Sequence, residues 1–112
     1  MIFRITSTFP IEEKYGLVSQ MRRSSVSIIA NIAEGYGRNH ISEYIQFISI
    51  AIGSSNELEV YLLISKDMGY ISEKDFSESM PVHAEVSKML HSLRLSLQEK
   101  RQSKPWPLTP RP

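Results

Sequence analysis

The chain reads as an all-α domain, and three features of its sequence say so. Apolar residues recur at helical spacing along most of its length. No stretch alternates apolar and polar residues as a half-buried strand does. Glycine or proline falls where each helical pattern stops. With 112 residues, it is one domain, able to bury a modest core of its own.

Helices are expected at about 1–9, 12–36, 42–68 and 72–101, within one domain over 1–101. The first is a short apolar piece (Ile2, Phe3, Ile5, Phe9) stopped by Pro10, too short to stand without packing. The second carries Leu17, Met21, Ser24, Ile28, Ile32 and Gly35 on one stripe, widened by Val18, Ser25 and Ile29. Arg23, Ser27, Asn31, Glu34 and Arg38 line another flank. Gly35 and Gly37 close the pattern, where a left-handed cap would suit them, and the polar hinge Gly37–His40 follows.

The third helix starts at Ser42 and runs to about Met68, with Gly69 as its stop. Tyr44, Phe47, Ile48, Ala51, Ser55, Leu58, Leu62 and Ser65 make one face, while Ile45, Ile52, Val60, Leu63 and Ile64 spread around the rest. A helix apolar on several sides is buried on several sides, which in so small a chain favours a second subunit. The cluster Ala51, Gly53, Ser54 and Ser55 would let a neighbouring backbone come close.

Ser72 suits the N-cap of the fourth helix, with acidic residues in its first turn. Val82, Val86, Met89, Leu90, Leu93 and Leu97 form its stripe, and Pro81 predicts a kink or short break near Met80. Residues 102–112 hold four prolines and no period, so a mobile or docked extended tail is expected there.

Composition excludes several chemistries. Without cysteine there is no disulfide, thiolate metal site or Cys nucleophile. His40, His83 and His91 show no metal-ligand spacing, and no Glu-x-x-His pair suggests a di-iron bundle. Gly35-Tyr-Gly37 closes a helix, whereas a phosphate cradle opens one. No nucleophile elbow or Ser-His-Asp set is legible, so neither an enzyme nor a cofactor site is expected. Nothing resembles a signal peptide, and no run approaches the roughly 20 apolar residues of a membrane span, so the expected location is cytoplasmic.

Net charge is only +1, but basic ends flank an acidic middle. That arrangement suits either a polyanion-binding face or complementary helix faces. Arg22, Arg23 and Arg38 are the leading phosphate contacts, because a guanidinium grips phosphate with two parallel hydrogen bonds. Lys100, Arg101 and Lys104 form a second basic cluster beside Trp106, which could stack a base. The plain alternative leaves these cations solvated, or paired with Glu34 and the acidic third helix. Asn31, Glu34 and Gly35 read as a structural motif that fixes helix register, and Tyr36, Tyr44, Tyr61 and Tyr70 as core or interface aromatics.

With the helices placed, ordered motifs stand out from about Ile2 to Leu97. They are Phe9-Pro10, Tyr15-Gly-Leu17, Ser19-Gln-Met-Arg-Arg23, Asn31-Ile-Ala-Glu-Gly35 with Gly37-Arg38, Glu43-Tyr-Ile-Gln-Phe47, Ala51-Ile-Gly-Ser54, Glu57-Leu-Glu59 and Asp67-Met-Gly-Tyr-Ile-Ser72. In these the chain resembles the bacterial 23S ribosomal RNA intervening-sequence proteins. The resemblance implies an antiparallel up-and-down four-helix bundle that assembles into a ring-like homo-oligomer, a pentamer. Some members of the family are encoded inside sequences that interrupt ribosomal RNA genes. A similar protein is the accessory factor of diversity-generating retroelements, where it binds reverse transcriptase and RNA through a basic surface. The resemblance brings no catalytic residues.

Members of that family usually carry roughly four more turns of helix before the segment matching Ile2–Phe9. Either the true start lies upstream or the first helix has been lost, and residues 1–112 are expected to leave part of the neighbouring apolar stripes uncovered. Leaving even ~300 Å² uncovered forfeits several kcal/mol at about 25 cal/mol per Å². Weaker stability, or cover from another chain, is the expectation. The functional reading is a non-enzymatic oligomeric scaffold that binds RNA or ribonucleoprotein, with charge reversal at Arg22 and Arg23 abolishing binding. The alternative is an adaptor that recruits a protein such as a reverse transcriptase with little RNA contact. A third reading, an element protein without present function, follows from the shortened first helix.

Overall fold

The computed structural model describes residues 1–103. The expected C-terminal tail, including Lys104 and Trp106, lies outside the described residues. Four α-helices follow one another: α1 (Ile2–Thr6), α2 (Leu17–Tyr36), α3 (Ile41–Asp67) and α4 (Glu73–Ser103), with a 3-10 turn at Ile11–Glu13. No strand occurs among the described residues.

α3 is the central element. α2 packs antiparallel along it: Met21 lies against Ser65, Ser27 against Ser54, and Gly35 against Phe47. α4 also runs antiparallel to α3, with Arg94 reaching Ser49 and Arg101 reaching Ser42. Met21, Ile48, Ala51 and Leu62 are fully buried in the seam, together with the small Ser55 and Ser65. Small side chains at these crossings let the helix axes approach, as the Ala51–Ser55 cluster predicts. Gly53 is the exception, exposed and with no atom within 4 Å of where its Cβ would be. By length and composition, α3 is apolar enough to cross a membrane. Its place between two helices supplies a different reason for that composition.

The N-terminal segment docks at the end of the bundle where α2 begins. Ile2 and Ile5 are buried, and Phe9 lies 5.6 Å from the ring of Tyr70 in the α3–α4 turn. Arg4 pairs with Asp75 at 3.5 Å, and the Tyr70 hydroxyl donates to Glu13 Oε2 at 2.9 Å. That bond, above all, holds the Tyr70 hydroxyl above its ordinary pKa. A five-residue helix is stable here because tertiary contacts hold it.

Several local details differ from the sequence expectation. α2 begins at Leu17 rather than near Glu12, because extended Pro10, the 3-10 turn and non-helical Gly16 use up the intervening residues. Gly37 is not a left-handed cap. Its φ is −81°, and the last turn tightens so that Arg38 N–H reaches the Gly35 carbonyl at 3.1 Å. Gly35 serves close approach instead: a Cβ there would stand 2.9 Å from Phe47 Cβ and 3.3 Å from the Tyr44 carbonyl oxygen. Gly69 does adopt a left-handed conformation, with φ +74°, and ends the α3 region. α4 runs continuously through the exposed Pro81, without the short break that a proline inside a helix can cause.

Between α2 and α4 the bundle is open. Ile28, Ile29 and Ile32 form one wall of a groove of about 540 Å³, and Val86, Met89, Leu90 and Leu93 form the other. α1 closes one end, where Met1 and Ile2 line the continuing cavity beside His83.

Candidate nucleic-acid interface

Of the six basic residues singled out in the sequence, Lys104 lies outside the described residues, and the other five do not converge on one place. Arg22 lies early in α2 and Arg38 in the turn just past its end, at opposite ends of the helix, and they do different things.

Arg22 is tied into the N-terminal packing. Its Nε donates to Thr6 Oγ1 at 2.9 Å, Nη2 reaches the Phe3 carbonyl at 3.4 Å, and the guanidinium lies 4.8 Å from the Phe3 ring centroid. Thr6 Oγ1 in turn donates to the Ile2 carbonyl at 2.8 Å. This guanidinium helps hold α1 onto α2. Arg23, the next residue, is exposed.

At the other end, the α2–α3 turn and the last turns of α4 come together. Arg38, Asn39 and His40 from the turn and Lys100 from α4 line one cleft of about 130 Å³, floored by Ile41, Tyr44 and Leu97. Arg101 stands beside it, with Nη1 3.3 Å from Ser42 Oγ, and Arg94 reaches Ser49 Oγ at the same distance. Arg94 and Arg101 are seven residues apart on α4 and meet two serines seven apart on α3, so they share one seam. Each is held through a single nitrogen to a neutral hydroxyl, which leaves the rest of its fork for an anion.

Arg38 is already engaged. It pairs with Glu34 at 2.6 Å and Glu43 at 3.8 Å, and its guanidinium lies 4.8 Å from the Phe47 ring centroid. These are solvent-accessible pairs of the kind that contribute little stability and that phosphate can compete for. Cations in the last turn of α4 also complement the negative end of that helix. Lys100 and Arg101 therefore have a structural reason to be there beside any ligand.

The motif residues Asn31 and Glu34 make local contacts, and one of them adjoins the α2–α3 seam. Asn31 Nδ2 donates to the Ser27 carbonyl at 2.8 Å and lies 3.0 Å from Ser27 Oγ, whose hydroxyl is 2.7 Å from Ser54 Oγ on α3. Asn31 thus touches Ser27, which meets α3, and Glu34 near the end of α2 accepts from Arg38 in the following turn. Tyr44, Tyr61 and Tyr70 are half-buried, whereas Tyr36 is 78% exposed and meets Tyr44 edge-on at 6.2 Å. Among the described residues no cluster of His, Asp or Glu could hold a metal ion.

His83 lacks a metal-ligand pair in the sequence, and its surroundings in the fold are unusual for a polar residue. It is 3% exposed, and its Nε2 has no hydrogen-bond partner among the described residues. Burial pushes its pKa below the ordinary value, while the Glu59 carboxylate at 3.7 Å and a hydrogen bond with the Ser55 backbone pull the other way. Arg94, Asn39 and His40 also escaped the sequence reading of the basic surface. A seven-residue arginine spacing on α4 was the available signal for Arg94. Asn39 and His40 carried none, since a turn shows no periodicity.

Comparison with known proteins agrees with this architecture. Residues 1–92 match the family described as 23S rRNA-intervening sequence protein. A crystal structure of a protein of unknown function from the S23 ribosomal protein family of Bacteroides thetaiotaomicron superposes with a TM-score of 0.73. It is 27% identical, and the match covers 83% of this chain and 90% of that one. No curated protein matches the chain.

Proposed function

Because this chain belongs to the 23S rRNA-intervening sequence protein family, we propose that it is a non-enzymatic, oligomeric scaffold that binds RNA or ribonucleoprotein through the basic end of its bundle. The observation that carries this reading is the convergence of Arg38, His40 and Lys100 on one cleft, with Arg101 and Arg94 on the adjoining seam. These residues come from the turn and from the far end of α4, so only the folded bundle collects them. A structured RNA offers phosphates along its backbone, and guanidiniums held through one nitrogen can grip them. Each site is small and its affinity modest. Repeating it around an assembly raises the effective concentration of the remaining sites once one is bound.

In this reading Arg22 holds the fold together, and Arg38, Lys100 and Arg101 make the phosphate contacts. The test is anisotropy of a labelled structured RNA against the Arg38→Gln, Lys100→Gln and Arg101→Gln proteins. Affinity should fall with each substitution and be lost in the triple variant, while the helical spectrum stays unchanged. Undiminished binding by a folded triple variant would remove this surface from consideration. The adaptor reading rests on the apolar side chains that α3 leaves exposed, and it is favoured if RNA binding is absent even to the unaltered protein.

A further inference from the structure

A cleft of about 360 Å³ opens where the N-terminal segment turns onto the start of α2, at the other end of that helix from Arg38. Its lining divides by chemistry. Phe9, Pro10, Ile11 and Val18 supply an apolar wall, Lys14 and Arg22 supply two cations, and no acidic side chain lines it. Neither cation pairs with a carboxylate among the described residues. Of the acidic residues next to Lys14, Glu13 accepts from Tyr70 and Glu12 stands exposed. Holding α1 occupies Nε and Nη2 of Arg22, with the Phe3 ring against its guanidinium, while Nη1 makes no hydrogen bond among the described residues. The guanidinium is thus fixed before any ligand arrives, which spares most of the ordering cost of binding. Lys14 is exposed, and its ammonium rests 5.5 Å from the ring centroid of the equally exposed Tyr15, a contact that an anion outweighs.

We propose that this cleft binds a small phosphomonoester with an apolar body, its phosphate held by Arg22 Nη1 and the Lys14 ammonium and its body laid against Phe9, Pro10, Ile11 and Val18. The site goes beyond the scaffold reading and does not depend on it, because it uses neither the turn after α2 nor the end of α4. Charge selects the head group. Like charges lining one cleft repel each other, and a bound anion relieves that repulsion. A phosphomonoester carries about −1.5 to −2 at pH 7 and three strong acceptor oxygens, which matches two unpaired cations. A carboxylate or a backbone phosphodiester brings a single charge. The apolar wall selects the rest of the molecule. Ile11 is 81% exposed at the lip, and inorganic phosphate would leave it so, whereas a ring or short branched chain would cover it and gain in proportion to the area removed from water. The volume lies near the lower end of the range of about 300–1,000 Å³ found for small-molecule sites, which suits a small ligand.

The test is calorimetric titration of the whole chain with phenyl phosphate, and with inorganic phosphate and phenol as its two halves. Phenyl phosphate should bind saturably, inorganic phosphate about tenfold more weakly or worse, and phenol not measurably. Lys14→Gln should weaken phenyl phosphate binding by about tenfold or more. Ile11→Glu, which sets a carboxylate on the lip, should abolish it. Both positions are exposed, so folding should survive, as an unchanged helical circular-dichroism spectrum would verify. Phenyl phosphate should also leave a labelled structured RNA bound. Absence of saturable binding at millimolar phenyl phosphate, or equal affinity in the parent and both folded variants, would overturn the site. Equal affinity for inorganic phosphate would overturn the organic ligand class. Displacement of the RNA by phenyl phosphate would overturn the claim that this site is separate from the basic end of the bundle.

Discussion

The α-carbon of Gly35 lies so close to α3 that a Cβ built on it would stand 2.9 Å from the Cβ of Phe47. A Tyr44 ring carbon also lies 3.0 Å away, but Phe47 Cβ and the Tyr44 carbonyl oxygen at 3.3 Å are bound to, or part of, the α3 backbone and cannot swing aside. Gly35→Ala should therefore destabilise the bundle. Overpacking costs about 1–3 kcal/mol, against a gain in helix propensity of up to about 1 kcal/mol. Thermal or urea unfolding checks this, and an alanine variant more stable than the parent would show that the helices can part at no cost.

The serine pair between α2 and α3 should be measurably coupled. Ser27 and Ser54 hydroxyls lie 2.7 Å apart, and Asn31 fixes Ser27 from the next turn. Removing either hydroxyl should cost about 0.5–1.5 kcal/mol. In a double-mutant cycle with Ser27→Ala and Ser54→Ala, the second substitution should cost less than it does alone. Strict additivity would deny the bond a role in register.

Acid should weaken the fold through His83. Its folded-state pKa lies below the ordinary 6.5, so the folded protein binds fewer protons than the unfolded chain around and below that value. The stabilisation is fully present above pH 6.5 and is lost as pH falls through the lowered folded pKa. Melting temperatures at pH 7.5 and 5.5 should differ less in His83→Gln than in the parent. Equal differences would place the acid sensitivity elsewhere.

Arg22 should show itself in stability before binding. Arg22→Lys keeps the charge but loses both the fork to Thr6 and Phe3 and the planar face over the Phe3 ring. A loss of about 1 kcal/mol is expected, with RNA affinity of the folded protein unchanged. A lysine variant with intact stability and weakened affinity would return Arg22 to the phosphate-binding set.

Much of the fold is legible in the sequence, because its helix ends and apolar stripes are local signals. Ser72 caps α4 by accepting from Asp75 N–H at 3.0 Å, and Gly69 supplies the left-handed stop. The over-apolar α3 announces burial on more than one side, and within one chain it is covered by α2 and α4, with Val60, Leu63 and Ile64 left exposed. Relationships between helices are where the single sequence runs out. Gly35 looks like a terminator because a glycine near a helix end usually is one, and only the α3 register reveals its contact with Phe47. Arg94 meets Ser49, and Arg101 meets Ser42, only once α3 and α4 are aligned antiparallel. The basic surface was thus readable as a set of residue types, but not as a place.

The most direct test of the account is the salt dependence of binding to a structured RNA by the unaltered protein and by Lys100→Gln/Arg101→Gln. Affinity should fall linearly on logarithmic axes as salt rises, and the double variant should show a slope shallower by about 0.7–0.9 for each cation lost. Absence of binding at low salt, or equal slopes for the two proteins, would contradict the claim that this end of the bundle grips RNA phosphates.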